Sequence, residues 1–222
     1  VATNAGRASQ DWRARYSVGL VNIPITMSTP PTPNTAAMVL AAGRGNRMRP
    51  LTDHTPKPLL AVQGKPLMLW PMDALQASGF HRVLVNTAWL GEQIADRLAA
   101  WSAAQPQAEL AFSHEGQEFG YALETAGGIA RALPSLGEVF WVLAGDVYAP
   151  DFVFTQASVE RFTASGLLAH IWLVSNPPHN PRGDFGLSSD GLALNTTNGE
   201  CFTYSTIAVS YTPLTLPTIY SS

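Results

Sequence analysis

Five short apolar runs recur along this chain, at residues 38–42, 82–86, 108–113, 139–144 and 167–174. Helix-period patterns fill three of the gaps, at 67–78, 91–103 and 125–133. A strand with one wet face would alternate apolar and polar residues, whereas these runs are nearly continuous. Strands of that kind are buried on both faces, and with helices between them they form a mostly parallel α/β sheet covered on both sides. Ligands of such sheets sit beyond the C-terminal ends of the strands. Gly43, Asn86 and Asp146 each fall at such an end. Pro71 lacks a backbone donor, so the first helix is expected to become regular only near Trp70. Residues 185–194 and 201–209 read as shorter strands around a turn at Asn198 and Gly199, a β-hairpin added to the main sheet.

The 222 residues are enough for one domain with a sizeable core. Charged residues make up 13% and the formal net charge is −3, which excludes a broad basic surface for nucleic acid. An anionic ligand must therefore be met by a local cluster of cations. Cys201 is the single cysteine, so there is no disulfide framework and no multi-cysteine metal site. That usage is compatible with a cytoplasmic protein, and no apolar run reaches the length of a membrane span. Residues 1–37 read as a disordered extension, with a Pro/Thr/Ser linker at 26–35. Arg7, Arg13 and Arg15 ahead of residues 16–25 are reminiscent of a secretory signal. Asn22 and Pro24 interrupt it and no cleavage site follows, which favours upstream translated sequence with Met27 as the start.

The first apolar run breaks into Gly43, Arg44 and Gly45, then Arg47 and Arg49, and reaches Lys57 between Pro56 and Pro58. A buried strand entering a glycine turn brings backbone N–H groups up to phosphate oxygens. Gly43 and Gly45 supply two glycines of a dinucleotide fingerprint, but Met48 takes the third place, where close helix packing needs glycine. The Gly-Lys-Ser/Thr ending of a P-loop is also missing. Arg47 is the better phosphate candidate, since a guanidinium offers bidentate contacts, while Arg49 is equally suited to clamping the loop. The stretch reads as a grip on a nucleoside triphosphate.

Leu40-Ala-Ala-Gly-Arg-Gly-Asn-Arg-Met-Arg-Pro and then Pro56-Lys57-Pro58 resemble the signature of the sugar-1-phosphate nucleotidyltransferases. Asn86-Thr-Ala-Trp-Leu90, Leu123-Glu-Thr-Ala-Gly-Gly128, Leu143-Ala-Gly-Asp146 and Gly183-Asp184-Phe185 follow in that family's order. The ensemble is most similar to the bacterial N-acetylmuramate-1-phosphate uridylyltransferases of peptidoglycan recycling, and covers residues 38 to about 211. The resemblance implies a Rossmann-like nucleotide-diphospho-sugar transferase fold and an enzyme that joins UTP to a sugar 1-phosphate, releasing pyrophosphate. It implies that Ala42 and Gly43 face the base, that Gly45, Asn46 and Arg47 hold the triphosphate, and that Lys57 bridges the reacting phosphates. It further implies sugar contacts from Asn86, Glu124, Thr125, Gly127 and Asp184, with Gly128 in the same turn, and Mg²⁺ on Asp146. Arg47, Lys57 and Asp146 would then be the catalytic set. On bare chemistry Asp146 has no obvious structural partner, and Thr125 doubles as an N-cap for the third helix. His54, and His114 before Glu115, read as polar loop residues.

The chain also departs from this family. Thr206 stands where glycine is usual, and no second metal-binding aspartate in a Trp-x-Asp-x-Gly context follows. Residues 212–222 have no helical period and read as a tail foreign to the family, after a domain lacking its C-terminal part. One metal ligand short, the chain is expected to bind substrates with weak turnover. Guanylyl, thymidylyl or uridylyl transfer to mannose or glucose 1-phosphate, a non-catalytic nucleotide-sugar-binding module, and, on the glycine pattern alone, a nicotinamide-dependent dehydrogenase are the competing readings.

Overall fold

The computed structural model describes residues 18–19, 35–195 and 199–212. Arg7, Arg13, Arg15, Met27, Asn198 and residues 213–222, on which several expectations fall, lie outside them.

In chain order the strands begin with β1 (Val18–Gly19) and β2 (Ala36–Leu40), followed by a small antiparallel pair, β3 (Ala61–Val62) and β4 (Lys65–Pro66). Then come α1 (Leu69–Ala77), β5 (Arg82–Thr87), α2 (Gly91–Ala103), β6 (Glu109–His114), α3 (Glu115–Phe119), α4 (Glu124–Leu136) and β7 (Val139–Ala144). The chain continues through α5 (Gln156–Ser165), β8 (Ala169–Val174), β9 (Phe185–Leu187), β10 (Ala193–Leu194) and β11 (Cys201–Tyr211). The main sheet runs β1-β8-β11-β7-β2-β5-β6. Strands β7, β2, β5 and β6 are parallel, while β11 lies antiparallel between β7 and β8. From β2 the chain moves outward to β5 and β6, then returns to place β7 on the other side of β2. That reversal is the topological switch point at which ligands of such sheets bind.

Both faces are covered, as the apolar runs require. Ala37 and Val39 of β2 pack with Met72 and Leu75 of α1, Ile94 and Leu98 of α2, and Val159 and Phe162 of α5. The alternate residues Ala36 and Met38 pack with Ala132 and Leu136 of α4. One strand thus feeds two cores, which is why its sequence has no polar phase.

Several expectations change in detail. The first apolar strand starts at Ala36 rather than residue 38, because Ala36 is buried and pairs with Phe140. Val18–Gly19, inside the stretch expected to be disordered, pairs with His170 and Ile171 as an edge strand. Helix α1 begins at Leu69, one residue before Trp70; Pro71 sits in the first turn, where its missing N–H would have had no intrahelical acceptor. Residues 185–194 are not one strand. They fold into their own hairpin, with Ser188 accepting from and donating to the turn at Gly191 and Leu192, and β9 then pairs with β11.

Strand β11 shifts register between Tyr204 and Ala208, and Thr206 takes φ +62 there. A β-branched residue in the left-handed region is strained, which gives a physical ground for the glycine that the resemblance led one to expect here. Its hydroxyl oxygen is also buried without a hydrogen bond. Thr206→Gly is expected to raise unfolding stability by about 1 kcal/mol in a denaturant titration, strain relief outweighing glycine's added unfolded-state entropy.

His170 of β8 lies against Trp172, with ring centroids 4.5 Å apart. Burial, then the nearby Arg161 charge, hold its pKa below 6.5. The folded protein therefore binds fewer protons here than the unfolded chain does. Its contribution is complete above pH 6.5 and is lost as pH falls through the lower folded value. His170→Gln should flatten that acid limb in melts taken across the window.

Candidate active site

The C-terminal ends of β2, β5, β6 and β7 open onto a cavity of about 730 Å³. Its floor is the stretch after β2. Gly45 adopts φ +69, and a Cβ there would lie 3.0 Å from Thr52 Cγ2 and 3.2 Å from Lys57 Cβ, so the turn needs glycine twice over. The Thr52 hydroxyl donates to the Gly45 carbonyl at 2.9 Å, and the Met48 N–H donates to the same oxygen at 2.9 Å. A Cβ at Gly43 would meet nothing within 4 Å, so this backbone faces open cavity.

Lys57 and Asp146 meet across the switch point. Lys57 Nζ lies 2.6 Å from Asp146 Oδ2, both side chains half-buried in the cavity wall. The parallel register of β2 and β7 and the Gly145 N–H, which donates to the Leu40 carbonyl at 2.8 Å, bring these two chain ends together. Asp146 is thus not without a partner, as bare sequence suggested: its partner is a lysine remote in sequence. A cation and an anion side by side in the wall of an open cavity are well suited to exchanging partners with an incoming phosphate and its counter-ion.

The arginines divide by role. Arg49 Nε donates to Asp53 Oδ1 at 2.7 Å, the local clamp. The Arg44 guanidinium carbon lies over the Trp89 ring, 3.1 Å from its centroid, and Arg44 lines the cavity. Trp89 in turn donates from Nε1 to the Thr52 carbonyl at 3.0 Å, so the loop after β5 braces the glycine turn. Arg47 is exposed and pairs with no acid among the described residues, but its side chain does not line the cavity. Asn46 and Gly127 are off it as well, whereas Ala42, Gly43, Gly45, Asn86, Glu124 and Thr125 line it.

Asn86 is 2% exposed and both ends of its amide are engaged within the protein. Glu124 and Thr125 are exposed at the start of α4, Glu124 with φ +60. Thr125 does not cap that helix: Leu123 occupies the cap position, and its N–H goes to the buried Glu115. Asp184 is elsewhere, accepting from Asn180 Nδ2 at 3.1 Å and from the Tyr204 N–H at 2.8 Å at the β9–β11 corner. Trp89, Tyr121, Arg44 and Glu115 were missed as site residues in the sequence. Glu115 had a signal, for it ends an apolar run as Asp146 does. His114 ends β6 rather than lying in a loop, stacked on Phe112 and 3.1 Å from Thr87 Oγ1.

Among the described residues no three His, Cys, Asp or Glu side chains cluster as a metal cage. A lone strand-end carboxylate still fits Mg²⁺, which is commonly held by one or two carboxylates with substrate phosphates and waters.

A glycine turn, a lysine–aspartate pair at the switch point and an adjoining cavity fit nucleotidyl transfer, and residues 36–191 match the family model for nucleotidyl transferases. The chain belongs to that family. It is 52% identical over 168 residues to the N-acetylmuramate alpha-1-phosphate uridylyltransferase of Neisseria meningitidis, covering 73% of this chain and 69% of that protein. The enzyme of the same name from Caulobacter vibrioides is 36% identical over 172 residues, covering 74% and 69%. The structure of HddC from Yersinia pseudotuberculosis, complexed with GMP-PN, superimposes with a TM-score of 0.60 at 19% identity, covering 80% of this chain and 77% of that one. That likeness establishes the nucleotide-diphospho-sugar transferase fold.

Proposed function

We propose that this sugar-1-phosphate nucleotidyltransferase uses UTP and N-acetylmuramate 1-phosphate, giving the UDP-sugar and pyrophosphate. The observation that carries the reading is the Lys57–Asp146 pair, 2.6 Å apart at the switch point beside the open Gly43 backbone. The similarity to two uridylyltransferases of that sugar supports the choice of substrates.

An oxygen of the sugar phosphate attacks the α-phosphorus of the nucleotide. A new P–O bond forms, the bond to the β-phosphate breaks, and pyrophosphate leaves with that electron pair. Both reactants are polyanions, so positioning and neutralisation dominate the barrier. Phosphate oxygens replace Asp146 as the partner of Lys57, which leaves the carboxylate free to hold Mg²⁺. Mg²⁺ held by Asp146 would supply positive charge where the transferring phosphate gathers negative charge. Gly45 meets the triphosphate from the cavity floor, and Asn46 and Arg47 of the same turn, which lie off the cavity, close on it from outside. Ala42 and Gly43 let the base approach the backbone. Glu124 and Thr125 offer an acceptor and a hydroxyl to the sugar, and Asn86 serves that end by holding the Ala41 N–H and Glu115 in place. Gly127 and Asp184 lie off the cavity and take no direct part in this reading. By the same reading the reaction runs in the cytoplasm and returns a peptidoglycan sugar to nucleotide-activated form.

Pyrophosphate release with Mg²⁺ across a panel of nucleotides and sugar phosphates tests this. UTP with N-acetylmuramate 1-phosphate should be the best pair. Better turnover of glucose or mannose 1-phosphate, or of another nucleotide, would replace the substrate assignment, and tight UDP-sugar binding without turnover would leave a binding module.

A further inference from the structure

Beneath the cavity lies a carboxylate that the proposed chemistry does not use. Glu115, the first residue of α3, is 0% exposed. Its Oε1 accepts from Asn86 Nδ2 at 2.8 Å, and its Oε2 accepts the Leu123 N–H at 2.7 Å. Asn86 Oδ1 in turn accepts the Ala41 N–H at 2.8 Å. One unbroken series of hydrogen bonds therefore runs from the end of β2, through β5 and the start of α3, to the residue before α4. Gly128 closes over it, since a Cβ there would lie 2.7 Å from Glu115 Oε1 and 2.8 Å from Asn86 Nδ2.

The residue type matters. A carboxylate accepts through both oxygens, so it can take donors from two separate elements; a glutamine would turn an NH₂ towards one of them. Among the described residues Glu115 forms no ion pair, and a buried acid without a cation is unfavourable. Immediately after the anchored Leu123, Glu124 is held at φ +60, a conformation that persists only where its surroundings impose it. Both walls fixed by the series, residues 41–43 on one side and Ala122, Glu124 and Thr125 around Leu123 on the other, face the same cavity.

We infer that Glu115 is a positioning residue: through Asn86 and Leu123 it sets the separation of those two walls, and so the affinity of the site for a nucleoside triphosphate. This rests on the nucleotide reading of the cavity above. The test is calorimetric titration with UTP and Mg²⁺, together with amide hydrogen exchange, on the wild type, Glu115→Gln and Gly128→Ala. Both variants should bind UTP about tenfold more weakly at temperatures well below their melts, with Ala41 and Leu123 amides exchanging at least about tenfold faster. Protection in α2 should persist. KM for UTP should rise more than kcat falls. Alanine ordinarily strengthens a helix interior, so weakened binding in Gly128→Ala reports crowding of the series and does not depend on Glu115→Gln folding well. A purely structural Glu115 would lower the melting temperature and leave the affinity of the folded protein within about twofold of wild type. That result, or unchanged exchange at Leu123, overturns the inference. A wild type that binds no UTP overturns the nucleotide reading instead, and the exchange data still report whether the hydrogen bonds act together.

Discussion

Lys57→Ala should lower turnover by about 10³-fold while the chain still folds, because a positioned charge acting on the transition state is removed. The lysine projects from a short 3₁₀ turn (Lys57–Leu59) fixed by Pro56 and Pro58, and the Leu60 N–H donates to its carbonyl. The backbone there does not depend on the ammonium, so the loss should appear in kcat rather than in stability. Its ion pair with Asp146 is partly solvated and adds little to folding. Arginine at this position should restore only part of the rate, since a planar guanidinium cannot follow charge as it moves between phosphates. Pyrophosphate release, read beside a thermal melt, separates the two effects.

Asp146→Asn should cost a similar factor, roughly 10³ in kcat, and should also flatten the dependence of rate on Mg²⁺. Asparagine keeps the shape and loses the charge. It also leaves Lys57 without its acidic partner, so nucleotide binding without metal should be retained or slightly improved. Titrating UTP with and without Mg²⁺ distinguishes this from a general loss of the site. A variant that keeps normal Mg²⁺-dependent turnover would remove Asp146 from the metal position.

The parallel core was legible because burial on both faces leaves a mark: β2, β5 and β7 read as apolar runs, and the α2 bounds follow from its helical period alone. The β9–β10 hairpin was not, since its strands have only three and two residues and its turn at Ser188–Leu192 competes with an equally plausible Asn-Gly turn. That Gly43, Lys57 and Asp146 would lie on one cavity was legible because strand ends and proline-fixed loops mark themselves. That Lys57 and Asp146 touch was not, for they are 89 residues apart and only the β2–β7 register joins them. Glu115 was passed over for the opposite reason. A charged residue beside a histidine looks like loop, and only the fold shows it buried under Gly128. Arg44 carried no role of its own in the sequence until the β5 end brought Trp89 against it.

The central claim is that Lys57 and Asp146 serve transfer of a nucleotidyl group, and phosphate-labelled UTP tests it most directly. With N-acetylmuramate 1-phosphate and Mg²⁺, label on the α-phosphate should appear in the UDP-sugar, and label on the γ-phosphate should appear only in pyrophosphate. Label from the γ-phosphate on the sugar, or free UDP as the nucleotide product, would contradict it.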